Sequence, residues 1–460
     1  MKRRNFLQNT AAAATASFAA PYVVSSKVLG RGTQSGANEQ VNVGIIGTGN
    51  RAKDIAKTCL QIPQVNIKAI CDCFKPRCSQ FIEAVGKDQN WAVYEDFRKM
   101  IEKEKLDAVM VETTTHARAW VATLAMQAGV DVYIEKPMCL TISEGRYMVN
   151  AARKFNCVTQ VGTQQRSMPI NNWASDLVKN GAIGKVHTVL APNFVGPDLW
   201  TPLPAKPLPQ GGSKGWWDIW TNQAELRDYH PQIHRGWARW WSYDGGGRCY
   251  GVTGWGTHSY DQIQRALGTD ETGPVEVWLA EPVESMATGK YDNPKGNPDT
   301  GVDYRGLAKA VIGPRAKVRM KYANGTELRL ELDGDWGPGL GAIFMGDKGK
   351  IEINRNKIAS NPKELVRSSD NPGANRKMET QYHIENWIAC IKSRKRCNAD
   401  IEYGQRSSTL CYLVNIVRDV GQVGKKLKWN PDTEQFTNCE EANLLLSRQR
   451  RKGFELPALG

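Results

Sequence analysis

Apolar runs and amphipathic stretches alternate over the first third of the chain. The run Val43-Gly44-Ile45-Ile46 gives way to an amphipathic segment from Arg51 to Leu60, and Val65 to Cys71 is apolar again. Phe97 to Lys105 reads as a helix and Ala108 to Val111 as a buried strand. His116 to Ala128 reads as a helix entered through the capping residues Thr113 to Thr115. Val130 to Ile134 is then a strand, Ser143 to Phe155 a helix, and Val158 to Val161 a closing strand. Strands and helices at this spacing predict a right-handed, doubly wound parallel sheet over residues 41–162.

From about residue 163 the pattern changes. Asn171 to Lys179 has helical spacing, Val186 to Pro192 reads as a strand, and a proline-rich loop runs from Pro197 to Pro209. Lys317 to Tyr322 and Thr326 to Leu332 flank the turn Ala323-Asn324-Gly325, with Val318, Met320, Tyr322, Leu328, Leu330 and Leu332 all on one face. The other face is mostly charged, so this sheet packs on one side only. Gly346-Asp347-Lys348-Gly349 forms a further hairpin turn before Lys350 to Ile353. Gln381 to Lys392 and Arg406 to Val420 read as helices that return to the body. The expectation is an α+β domain over 163–432, with an open, mainly antiparallel sheet and helices on one face, followed by a tail over 433–460.

The turn after the first strand carries chemistry. Gly47-Thr48-Gly49-Asn50-Arg51-Ala52 is a G-x-G-x-x-A turn between strand and helix. Gly47 permits the turn, Gly49 lets a pyrophosphate approach the backbone, and Ala52 keeps the helix close to the strand. The helix N-terminus at Asn50 and Arg51 offers N–H groups to phosphate. Asp72 ends the second strand about twenty residues on, where a carboxylate binds ribose hydroxyls. These features make the first domain a Rossmann fold. Asp72 would repel a 2′-phosphate and so favours NAD, while Lys75 and Arg77 nearby leave NADP open. Ligands in such sheets lie beyond the carboxyl ends of the strands. Thr113, Thr114 and His116, then Glu135, Lys136 and Pro137, then Gln164 and Arg166 all fall there.

The chain has 460 residues, 41% of them hydrophobic and 23% charged, which suits two domains with substantial cores. Its net charge of +14 is spread along the chain without a basic-aromatic module, so a solvated basic surface is expected and no nucleic-acid partner. Lys2-Arg3-Arg4-Asn5-Phe6-Leu7-Gln8 is a twin-arginine pattern followed by an alanine-rich segment, Thr10 to Ala20, too short and weakly apolar to span a membrane. Export to the periplasm is expected, with Ser25 to Gln40 as linker. The eleven cysteines show no C-x-x-C pairs. No disulfide framework or zinc site is expected, consistent with folding in a reducing compartment before export.

Eight of the fifteen tryptophans fall between Trp200 and Trp255, among them Trp217 and Trp240, with Tyr229, His230, His234 and Arg239 interspersed. Flat rings stack on the C–H faces of sugars, so this segment reads either as the wall of a saccharide pocket or as a packing layer between domains. His230 and His234 are four apart, but Pro231 interrupts the helix that metal ligation would need, and no metal site is predicted.

The chain resembles the glucose–fructose oxidoreductase, inositol dehydrogenase and rhizopine-catabolism (Gfo/Idh/MocA) oxidoreductases over nearly everything after the linker. The resemblance rests on the glycine turn, Glu135-Lys136-Pro137, Val161-Gly162-Thr163-Gln164-Gln165-Arg166 and Gly256-Thr257-His258-Ser259-Tyr260-Asp261. Ser393 to Asp400 and Glu441 to Arg448 look like a subgroup common among exported bacterial members.

The resemblance implies that Lys136 contacts the nicotinamide ribose and the substrate, that Pro137 follows a cis bond, and that the open sheet face builds a homo-oligomer. It also implies that Lys136 and His258 handle the proton of a saccharide or polyol hydroxyl. Arg166, Trp217, Tyr229, His230, His234, Arg239 and Trp240 are further candidates for substrate contact. Redox-active relatives carry an aspartate four residues before this histidine; here that position is Gly254. Arg118 stands where subgroup relatives have a second histidine, and Gln405 where many have one. The expected activity is NAD-dependent hydride transfer from a secondary sugar or cyclitol hydroxyl. Two alternatives are a redox-neutral glycoside lyase or hydrolase and a non-catalytic binding protein.

Overall fold

The computed structural model describes residues 40–246, 251–286, 313–332, 340–355 and 357–459. The twin-arginine stretch and the linker up to residue 39 lie outside the described residues.

Six strands build the N-terminal sheet: β1 (Val41–Ile46), β2 (Val65–Cys71), β3 (Ala92–Tyr94), β4 (Ala108–Val111), β5 (Asp131–Ile134) and β6 (Thr159–Val161). Their order is β3-β2-β1-β4-β5-β6 and every pairing is parallel. Helices α1 (Asn50–Cys59), α2 (Pro76–Val85), α3 (Phe97–Lys103), α4 (Thr115–Gln127) and α5 (Ile142–Lys154) connect them. All residues of β4 and β5 are buried, as a sheet covered on both faces requires. This is the doubly wound Rossmann sheet read from the sequence. Its order reverses between β1 and β4, and that reversal opens a crevice at their carboxyl ends. Helix α2 and the short β3 escaped the sequence reading.

After helix α6 (Pro169–Lys179) comes β7 (Val186–Pro192), then the short helices α7 (Trp216–Thr221) and α8 (Pro231–His234), and α9 (Trp255–Leu267). The remaining strands are β8 (Pro274–Leu279), β9 (Glu284–Met286), β10 (Gly313–Arg315), β11 (Val318–Tyr322), β12 (Glu327–Leu332), β13 (Ala342–Gly346), β14 (Gly349–Asn354), β15 (Lys357–Asn361), β16 (Leu427–Asn430) and β17 (Gln435–Phe436). Eight of them join β7 in one nine-stranded sheet in the order β15-β14-β13-β7-β12-β11-β8-β16-β17, antiparallel except between β7 and β12.

The β11–β12 hairpin shows why the sheet has one covered face. Val318 pairs with Leu330 and Met320 with Leu328, and all four are buried. Each such side chain contributes about 1.5–3 kcal/mol by leaving water. Helices α6 and α9, with α11 (Ile401–Val420), cover that face. The opposite face carries ion pairs: Arg319 with Glu327 and Glu331, and Arg329 with Glu327.

Helix α10 (Glu379–Ser393) returns to the first domain, where Trp387 is fully buried against Tyr133 of β5. Arg146 of α5 joins Glu402 of α11 and Glu434, at 2.7 and 2.8 Å. The last residues also fold back: Arg450 pairs with Glu144 and Phe454 packs on Trp120. No helix among the described residues is long and apolar enough to cross a membrane.

Candidate active site

A cavity of about 860 Å³ opens at the carboxyl ends of β1, β2, β4 and β5 and runs toward the tryptophan-rich segment. Gly47 has φ +93°, and a Cβ there would lie 2.8 Å from the Glu112 carbonyl and the Thr113 nitrogen, so only glycine fits. Gly49 is the opposite case: nothing lies within 4 Å of where its Cβ would be, and that open volume belongs to the cavity. No side chain caps α1, whose N–H groups therefore point into the crevice. Asp72 is held by Thr48 N and Oγ1, both at 3.0 Å, and by Phe74 N at 3.0 Å. Its carboxylate keeps lone pairs for ribose hydroxyls. An uncapped helix, an open Gly49 and a pinned acidic group at the second strand end fit a dinucleotide.

At the far end of the cavity Lys136 follows β5. The Lys136–Pro137 peptide is cis. Lys136 N donates to Glu135 Oε2 at 2.8 Å, and Nζ donates to Gly254 O at 3.2 Å. Glu135 also receives Arg51 at 2.9 Å. Burial pushes its carboxyl up, but Arg51, Lys136 and Arg118 outweigh burial and hold it below the ordinary value. On the neighbouring strand end, Glu112 has both oxygens sealed from solvent and without a hydrogen-bond partner among the described residues. Burial and the Glu135 charge push it up to about 8.

Arg118 of α4 donates to Pro137 O at 2.5 Å and to Thr115 Oγ1 at 3.1 Å. Asp244 accepts from Thr115 Oγ1 at 2.6 Å, from Gly246 N at 3.0 Å and from Thr253 Oγ1. Lys136, Arg118, Asp244 and Gly254 all line the cavity.

Of the residues expected from sequence, Gly47, Thr48, Gly49, Asn50, Arg51, Asp72, Thr113, Thr114, Glu135, Lys136, Pro137 and His234 line this cavity. Burial, with Arg77 and Arg235, lowers the His234 imidazole to about 3, so it stands neutral in the wall. His258 lies one turn beyond Gly254 on α9, buried and outside the cavity lining. Burial and then Lys136 hold its imidazole well below the ordinary value, and its Nδ1 has no hydrogen-bond partner.

Other expected residues do different work. His116 is fully buried, bonded through Nε2 to Trp220 O at 2.8 Å and edged against Tyr243, so it braces α7 and does not line the cavity. Gln164 reaches Tyr133 and Glu135 from behind, at 3.0 and 3.3 Å. Arg166 is buried in ion pairs with Asp261 and Asp270, both 2.8 Å, and its charge is used there. Gln405 donates to Ile142 O and Glu434, tying α11 to the first domain.

The aromatic segment is mostly a packing layer. Trp217 stacks on Trp220 with centroids 4.8 Å apart, and Tyr229 and Trp240 are buried in the same cluster. Arg239 pairs with Asp198 and lies over Trp240. His230 caps α8 by accepting from Gln232 N. The tryptophans that line the cavity are Trp220, Trp237 and Trp120. Among the described residues no cluster of three or more potential metal ligands occurs. Sequence reasoning missed Glu112, Asn222 and Trp120, and had Trp220, Trp237 and Asp244 only as unsorted members of the tryptophan-rich segment. Asn222, at φ +51° beside the cavity, is a strained position of the kind that collects at sites, visible only in three dimensions.

Fold and cavity together define a two-domain protein that lays a dinucleotide along a Rossmann sheet and presents its reactive end to a second, sheet-backed domain. The oxidoreductase family with an NAD-binding Rossmann fold matches residues 41–163, and its C-terminal alpha/beta domain matches 194–295 and 299–456. The chain belongs to the Gfo/Idh/MocA oxidoreductase family, and NAD is its nucleotide.

The myo-inositol 2-dehydrogenase of Thermotoga maritima is 26% identical over 149 residues, 32% of this chain and 44% of that protein. The alpha-N-acetylgalactosaminidase of Shewanella oneidensis is 28% identical over 158 residues, 33% of this chain and 34% of that protein. The chain spans less than half the length of these curated relatives. The WlbA dehydrogenase from Bordetella pertussis, solved with NADH and UDP-GlcNAcA, has a TM-score of 0.57 at 15% identity, covering 85% of this chain and 99% of that one, a likeness of fold.

Proposed function

We propose that this protein oxidises a secondary hydroxyl of a sugar, cyclitol or glycoside. The observation that carries the reading is Lys136, held by Gly254 O at 3.2 Å in the same cavity as the Gly47–Arg51 turn. Bound NAD supplies the hydride acceptor. The Lys136 ammonium stabilises negative charge developing on the substrate oxygen. Trp220 and Trp237 offer ring faces to a saccharide. The test is to identify the nucleotide released by heat and follow absorbance at 340 nm with a panel of inositols, sugars and glycosides. Lys136→Ala retains the nucleotide and loses turnover; turnover at the wild-type rate refutes the role.

A redox-neutral cleavage of a glycoside is the second reading, supported by the likeness to an alpha-N-acetylgalactosaminidase. It gives product without NADH accumulation. The Arg3-Arg4 pattern supports export through the twin-arginine route, which a reporter fused to residues 1–40 tests by whether it reaches the periplasm. The open, ion-paired face of the nine-stranded sheet is our candidate for a homo-oligomer contact, and light scattering with Arg319→Glu tests it.

A further inference from the structure

Around Asp244 the hydrogen bonds close a ring. Thr253 Oγ1 donates to Asp244, and the next residue, Gly254, gives its carbonyl to Lys136. Thr115 Oγ1 donates to the other Asp244 oxygen, Arg118 donates to Thr115, and the same Arg118 nitrogen holds the carbonyl of Pro137, next to Lys136. An ionised carboxylate has about four acceptor directions. Among the described residues three are filled: Thr253 and Gly246 N on Oδ1, and Thr115 on Oδ2. Oδ2 keeps one. Asp244 is 3% exposed and forms part of the cavity wall together with Lys136 and Arg118. A buried carboxylate with a spare acceptor, sharing the wall of a dinucleotide cavity with Lys136 and Arg118, can take one more donor, and a polyol hydroxyl is one.

We propose that Asp244 is a substrate-binding residue that accepts a hydrogen bond from a hydroxyl of the bound polyol, next to the hydroxyl that Lys136 serves. The assignment rests on the reading of the site as a polyol oxidoreductase. It makes substrate affinity depend on an ionised Asp244. Burial pushes that carboxyl above its ordinary value against the opposing hydrogen bonds from Thr115 and Thr253 and the Arg118 charge, so affinity falls as pH drops through it. Arg118 and Arg448 stay cationic, burial raises the Cys411 thiol to about 12 and the Tyr412 phenol well above its ordinary value, and His116 protonates only near 4.

The experiment is equilibrium binding of myo-inositol, glucose and N-acetylgalactosamine to NADH-loaded full-length protein, read by tryptophan fluorescence from pH 4.5 to 8, with KM and kcat measured alongside. Asp244→Asn weakens the bound polyol at least 30-fold, leaves the NADH dissociation constant within twofold, and removes the acid limb of the affinity profile. Thr115→Val keeps the charge but removes one donor, so it moves the acid limb upward by at least half a pH unit. This variant carries the test should Asp244→Asn fail to fold. Unchanged affinity in Asp244→Asn, or an unmoved limb in Thr115→Val, overturns the assignment of Asp244 alone. A wild type that binds none of the three polyols overturns the proposed activity, and this assignment with it.

Discussion

Replacing Glu112 by glutamine tests the electrostatics of the nucleotide cavity. Glu112 and Glu135 end neighbouring parallel strands, with Val111 in register with Ile134 just before them. Arg51 is bonded to Glu135 at 2.9 Å, and the Glu112 oxygens are sealed without a hydrogen-bond partner. The pair therefore divides: Glu135 is held ionised, and Glu112 keeps its proton up to about 8 against an ordinary 4.5. The unfolded chain gives up that proton near 4.5. Between the two values the folded protein binds more protons than the unfolded one, so stability falls as pH rises through this window and levels off above it.

At about 1.36 kcal/mol per pH unit, the loss has a ceiling of about 5 kcal/mol. Relaxation around Arg51 and Arg118 reduces it to about 2–4 kcal/mol. Glutamine has similar shape and no proton to lose. Urea unfolding followed by tryptophan fluorescence at pH 5, 7 and 9 should show Glu112→Gln gaining on the wild type as pH rises, by about 2–4 kcal/mol at pH 9 relative to pH 5. A difference between the two proteins that stays constant over that range refutes the reasoning.

Gly49→Val places a branched side chain in open space at an ordinary φ of −73°, so the melting temperature should move by only a few degrees. NADH titration should show affinity lost by at least about 100-fold, or ~2.7 kcal/mol, because the added methyls occupy the pyrophosphate path. Asp72→Ala removes the acceptor for Thr48 and Phe74 as well as the ribose contact. NAD should weaken by about 10–100-fold and NADP by less, read by calorimetry. Arg166→Met strands Asp261 in the core and should cost about 3–5 kcal/mol in denaturant unfolding, with the NAD dissociation constant unchanged.

The bounds of β4 and β7 and the turn of the β11–β12 hairpin were legible because each is a local pattern: a run of buried positions, a period of two, a glycine where φ must be positive. The nucleotide end of the site was legible for the same reason. A G-x-G turn, an acidic residue one βα unit later and the strand-end Glu135-Lys136-Pro137 are set by neighbours along the chain. Helix α2 was missed because only Cys78 and Phe81 of its ten residues are buried, which leaves a thin apolar stripe.

The substrate end was read less well. An arginine, a histidine and a tryptophan at a strand end or in an aromatic segment look alike whether they face a cavity or the core. Arg166 and His116 spend their polar groups on Asp261 and on Trp220 O, while Trp220 and Trp237, from the same segment as Trp217 and Trp240, reach the cavity. Two domains, a dinucleotide turn and a lysine at a strand end could be read along the chain, because short-range spacing dictates them. Which cavity-wall groups are partly satisfied, like Asp244 by Thr115, Thr253 and Gly246, and which, like the Glu112 carboxyl, find no hydrogen-bond partner among the described residues was settled in three dimensions, because that depends on segments far apart in the chain arriving at one place.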